Sequence, residues 1–199
     1  KMIKQIILFL FLPIFSFGQV SLHDWDDTFY EKYNPSSFKN LEIAHQLIDT
    51  NNIDYELFNA AVFYCTNIQR IKYEKKPFKH SVLLEMSAQG HSKDMATHNF
   101  FSHTSTVRGK TSMTDRLTAI GLSEYGSWAE NIAISNETSP TYWSFALKLV
   151  DQWMNSEGHK KNILNSNYNY LGCGVYYYKF EYGTYYYFKS TQTFSSTNK

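Results

Sequence analysis

The sequence predicts an α+β fold that can close as a three-layer α/β/α sandwich. Three observations predict it. Apolar residues recur at helical spacing from about Leu41 to Asn155. The tail then changes to β-prone aromatic runs joined by a turn. The chain is also long enough, at 199 residues with 43% apolar and 18% aromatic content, to bury a sizeable core.

The elements follow in order. Residues 2–18 (MIKQIILFLFLPIFSFG) begin with Lys4, continue through an apolar run and end on small residues. They read as a signal peptide spanning residues 1–18 and cut before Gln19. The run is too short to span a bilayer, and Pro13 interrupts it. Residues 19–55 read as an N-terminal extension, partly helical, with an irregular lead-in and a turn at Asn34-Pro35. A first helix is expected over Leu41–Ile48, stopped by Asn51-Asn52, and a second from about Asp54 to Lys72. Ser81–His98 gives the clearest helical stripe, with Leu84, Ala88, His91 and Met95 on one face and Ser81 as N-cap. After a polar loop, a short helix around Met113–Ile120 stops at Gly121. Glu130–Ser135 is β-like. Ser139-Pro140 opens a helix with proline at its first position, burying Phe145, Leu149 and Trp153. Ser156-Glu157-Gly158-His159 forms a sharp connection, with Ser156 as cap of the next helix. Two Tyr-rich runs joined at Glu181-Tyr182-Gly183 then make a C-terminal antiparallel hairpin. The main domain is placed at residues 56–199.

Nineteen basic residues against 18 acidic ones supply no basic excess for nucleic acid. Two cysteines exclude a disulfide-dense scaffold and a four-cysteine zinc site. Cys65 and Cys173 suit either one helix–sheet disulfide or two buried thiols. The expected protein is secreted, extracellular or periplasmic, and monomeric. It has no stable membrane insertion once the signal is removed.

For chemistry, His103, Glu130 and His159 stand out. Two imidazoles and a carboxylate suit Zn²⁺ or another divalent cation with an open position. They equally suit an acid–base pair with an orienting carboxylate, or hydrogen bonds to loop backbone. His91, Asp94 and His98 form a rival cluster on one helix, in which His91 and Asp94 can pair at i, i+3. No HExxH, nucleophile-elbow or phosphate-loop motif occurs. Tyr176–Tyr178 and Tyr185–Tyr187 suit either a stacking platform for sugars or ordinary strand surface.

The ordered segments carry more than any single residue. His91-Ser-Lys-Asp-Met-Ala, Phe100-Phe-Ser-His103, Glu130-Asn-Ile-Ala, Trp153-Met-Asn-Ser-Glu-Gly-His159-Lys-Lys-Asn162-Ile-Leu and Leu171-Gly-Cys-Gly follow one another. This set resembles the CAP superfamily of cysteine-rich secretory, antigen 5 and pathogenesis-related class 1 proteins, in its bacterial SCP-like branch. The resemblance covers roughly residues 58–194. It implies an α/β/α sandwich of the CAP type with a central cleft presenting two His and two Glu. His103, Glu130 and His159 carry over as three of these, and as the candidate catalytic and metal residues. The fourth falls at Ser156, a cleft-lining position where many eukaryotic members have Glu. Ala129 stands where the family usually has Gly, so its backbone is expected at negative φ. Asn131 and Asn162 are expected to hold loop backbone, and Trp153 to be core.

The function expected first is a secreted ligand-binding or interaction module. Its cleft is expected to take a small ligand, lipid or peptide together with Zn²⁺ or another divalent metal. The alternative is a metal- or His-dependent, peptidase-like hydrolase. A further alternative is a glycan or cell-wall adhesin using the tyrosines. The missing fourth carboxylate and the absence of an evident nucleophile favour binding over catalysis.

Overall fold

The computed structural model describes residues 21–122, 126–179 and 185–198. The expected signal peptide and the Glu181-Tyr182-Gly183 turn lie outside the described residues. The elements are α1 (Phe29–Lys32), α2 (Pro35–Lys39), a 3₁₀ turn (Glu42–His45), α3 (Tyr55–Lys72), β1 (Lys79–His80) and α4 (Val82–Thr97). They continue with α5 (Met113–Ala119), β2 (Trp128–Glu137), α6 (Tyr142–Met154), α7 (Glu157–Leu164), β3 (Tyr170–Tyr178) and β4 (Tyr186–Ser195). The strands form one mixed sheet in the order β1-β3-β4-β2. β1 runs parallel to β3, and the other pairs are antiparallel. The fold is α+β, as the sequence predicts.

Strand alternation separates the layers. Leu171, Cys173 and Val175 of β3 join the main core with α3 and α6. Gly172 and Gly174 point the other way, onto α4. An added Cβ on Gly172 would lie 2.0 Å from the Glu85 nitrogen, and one on Gly174 would lie 2.2 Å from that of Gln89. Those two glycines let the α4 backbone rest directly on the strand. The layers are therefore α4 with α5, the sheet, and α3 with α6 and α7.

Caps fix the helix starts. Asp54 accepts the Leu57 amide at 2.9 Å, and Ser81 accepts that of Leu84 at 3.3 Å. The buried stripe of α6 holds Phe145, Leu149 and Trp153, all fully covered. Each contributes roughly 2 kcal/mol of apolar burial.

Several expectations are corrected. The expected helix over Leu41–Ile48 shrinks to the 3₁₀ turn, because Gln46 is extended and Ile48 donates instead to the Pro140 carbonyl. Pro140 precedes α6 rather than opening it. Thr141 is the N-cap and shares a capping box with Ser144. Ser156 sits at the N-cap position of α7 but makes no side-chain cap bond. Gly158 and His159 lie inside the first turn of α7, not in a connection between helices. The lead-in is ordered by its aromatic residues. Asn34-Pro35 starts α2 as a capping box with Pro at N1. Trp25, 3% exposed, packs among Phe29, Tyr30, Tyr33, Phe38 and Tyr64. Of the two states open to the cysteines, the structure has the second: Cys65 and Cys173 are free, buried thiols.

Candidate functional site

The site is built around the edge strand β2. Glu130 pairs in register with Thr193 and Asn131 with Gln192, so consecutive residues point to opposite sheet faces. Ala129 continues the same strand opposite Phe194 at a non-positive φ, as expected of alanine there.

On the α4 face the Glu130 side chain is 4% exposed. Its Oε1 lies 2.8 Å from Nδ1 of His103 and 3.9 Å from Nε2 of His91. Its Oε2 accepts a 2.6 Å bond from the Arg116 guanidinium. Burial alone would raise this carboxyl. The His103 hydrogen bond, the Arg116 charge and the His91 charge together outweigh burial and hold it below its ordinary value. Ionised, Glu130 only accepts hydrogen bonds. Nδ1 of His103 must therefore carry a proton, and in the neutral ring that leaves Nε2 with the lone pair. The His103 ring is 58% exposed, so that lone pair lies on the open side.

The support is layered. Arg116, itself buried, also donates to the carbonyls of His103 and Lys110. His91 lies fully buried, with Nε2 at 3.0 Å from the Ser102 carbonyl. Burial lowers its pKa. Lys189 donates to the carbonyls of Met95 and Phe100, tying the segment before His103 to the end of α4.

On the other face, Asn131 donates to the His159 carbonyl at 3.2 Å and to Gln192 at 3.0 Å. Asn162 donates to Asn131, and Gln192 to Thr66 of α3. Asn131 thus holds the backbone of α7 at His159, and Asn162 reaches the Asn131 side chain rather than backbone. His159 is half-buried, and its pKa is lowered by burial and then by the nearby charge of His103. Ser156 is half-buried, one turn before His159.

The fold joins His103 to Glu130 directly, whereas the donor atoms of His103, Glu130 and His159 do not all gather within 4.8 Å of one another. The rival helix cluster separates. Asp94 pairs with Lys110 at 3.1 Å, His91 turns to the site, and His98 is the exposed C-cap of α4. Sequence reasoning missed Arg116 and Lys189 as site supports. Arg116, beside Leu117 on a seven-residue helix, was detectable as a cation on a buried face. Tyr176 stacks on Tyr55, and the Tyr178 hydroxyl meets Asn99. Tyr185 is exposed, and Tyr176, Tyr177, Tyr178, Tyr186 and Tyr187 are half-buried.

A second grouping stands apart. Among the described residues, the His/Cys/Asp/Glu donors that gather in threes within 4.8 Å are those of Asp27, His80 and Glu85.

Comparison with known proteins agrees with the motif reading. The family described as "CAP: Cysteine-rich secretory protein family" matches residues 63–190. The chain is 38% identical over 117 residues to the uncharacterized protein YkwD of Bacillus subtilis (strain 168), covering 59% of this chain and 42% of that one. It is 38% identical over 110 residues to the uncharacterized membrane protein YlbC of the same organism, covering 55% and 29%. It thus spans less than half the length of these relatives. Its structure is similar to that of an extracellular SCP-domain protein from Bacillus anthracis str. Ames, with TM-score 0.55 and 30% identity, covering 71% of this chain and 41% of that one. The fold is also shared with an outer surface protein of Borrelia burgdorferi, at TM-score 0.51 and 16% identity, covering 76% and 97%. The motif order, the mixed sheet between helical layers and the matched span lead to one conclusion: this chain belongs to the cysteine-rich secretory protein (CAP) family.

Proposed function

We propose that the chain is an exported binding module whose cleft takes a small ligand, lipid or peptide at the outward Nε2 of His103, beside His159. One observation carries this reading: buried Glu130 is clamped by Arg116 and spends its other oxygen on His103 Nδ1. The carboxylate orients one imidazole and leaves the far nitrogen for a partner.

The Arg116 guanidinium neutralises Glu130 and the other oxygen holds the His103 ring, so a divalent ion here would be held by His103 and His159. Such an ion would polarise an oxygen of the ligand. Two imidazoles fall short of the three protein ligands of most catalytic zinc sites, and Ser156 adds no carboxylate. That shortage supports binding over hydrolysis. The hydrolase reading rests on the same His103–Glu130 pair acting as a general base. Export is supported by the signal-like residues 1–18 and by the extracellular description of the Bacillus anthracis relative. No helix among the described residues is long and apolar enough to cross a membrane.

The test is Zn²⁺ stoichiometry by calorimetry, with a ligand screen run with and without chelator. His103→Ala and His159→Ala are each expected to remove one bound ion while circular dichroism stays unchanged. Both variants binding as many ions as the parent would remove the metal from the cleft. Screen hits whose affinity ignores both substitutions would contradict the cleft reading itself.

A further inference from the structure

A groove lies between the N-terminal arm and α4, and none of His103, Glu130 and His159 lines it. Its walls include Trp25, Tyr30 and Tyr55, together with Asp26, Asp27, Glu56 and Glu85, around a cavity of about 350 Å³. Those walls carry four carboxylates and no lysine or arginine. A neighbouring cavity of about 710 Å³ shares Asp27 and Tyr30 and reaches His80.

The donors converge where the two cavities meet. The His80 Nε2 lies 2.7 Å from Glu85 Oε2, with both side chains largely buried. The Tyr30 ring stacks on the imidazole at 3.5 Å and 4°, which fixes its plane, and the Tyr30 hydroxyl donates to Glu85 at 2.9 Å. Asp27 is exposed and closes the triad from the arm, with its donor atom within 4.8 Å of the other two. The surrounding carboxylates repel one another. The Glu56 carboxyl is raised by burial and then by Asp54, Glu85 and Asp27. An added cation relieves that repulsion.

We infer that Asp27, His80 and Glu85 form a site for a divalent transition-metal ion of the Zn²⁺ or Mn²⁺ class. One imidazole and two carboxylates are a donor set such ions accept, and water completes the coordination. Asp27 comes from the arm, His80 from β1 and Glu85 from α4. The ion therefore ties the arm to the domain. This site does not depend on the cleft.

The experiment titrates Zn²⁺ by calorimetry into chelator-stripped protein carrying His103→Ala and His159→Ala, which removes the cleft imidazoles. One ion per chain is expected to remain. Adding Asp27→Asn, an isosteric change at an exposed residue, is expected to weaken it at least tenfold with an unchanged circular dichroism spectrum. Glu85→Gln is expected to act in the same direction. No Zn²⁺ uptake by the cleft-less protein, or less than tenfold weakening by Asp27→Asn, would overturn the site. Because the cleft is read by ions lost on His103 or His159 substitution, either reading can fail without the other.

Discussion

Glu130 and Glu85 are each met by an imidazole, at 2.8 Å and 2.7 Å, yet the two pairs are set for different chemistry. Arg116 neutralises Glu130, and the exposed His103 ring carries the pair's unused nitrogen outward. Glu85 has no guanidinium partner among the described residues. Its imidazole is 8% exposed, and its third neighbour is another acid, Asp27. The same His–Glu distance thus orients a ring in one place and gathers negative charge in the other. The third group decides which.

Removing that third group is the strongest way to break the comparison. Arg116→Ala leaves the buried Glu130 carboxylate without its guanidinium, held by His103 alone, and is expected to cost about 3 kcal/mol in denaturant unfolding. Glu85→Gln keeps one acceptor oxygen, for Tyr30, loses the one that Asn59 reaches at 3.4 Å, and is expected to cost about 1 kcal/mol. Equal costs would mean that Arg116 does not distinguish the two regions.

Acid sharpens the comparison with a smaller effect. His91 and His159 are both held below the ordinary imidazole value of 6.5, chiefly by burial. The unfolded chain takes up those protons near pH 6.5, whereas the folded chain resists them. Stability is therefore full above that value and is lost as pH falls through it, by at most about 1.4 kcal/mol per pH unit for buried His91. Glu130, held below 4.5, adds a second loss as pH drops under that value. Thermal melts from about pH 8 to 3 should show both steps in sequence. A melting temperature that stays flat between about pH 6.5 and 5 would contradict the cleft half of the account.

The long elements were legible in the sequence because their periodicity has room to repeat. The stripes of α3, α4 and α6 each run over three turns or more. The arm was not. α1 and α2 have four and five residues, and their order comes from Trp25 packing on distant Tyr64 rather than from local pattern. β1, a two-residue parallel strand, gives no alternation to read. In the cleft, motif order pointed to His103, Glu130 and His159, and the fold joins the first two directly. Arg116 escaped because nothing in its spacing marks a partner on β2. The groove triad escaped for a similar reason: Asp27 is far along the chain from His80 and Glu85 and shares no motif with them.

The central claim is that Glu130 fixes the His103 tautomer and keeps its outer nitrogen free. Two-dimensional ¹⁵N NMR of the imidazoles at about pH 7.5 tests it most directly. The account predicts His103 protonated at Nδ1, with Nε2 showing the shift of an unprotonated nitrogen. A His103 protonated at Nε2, or averaging between tautomers like a free exposed histidine, would contradict it.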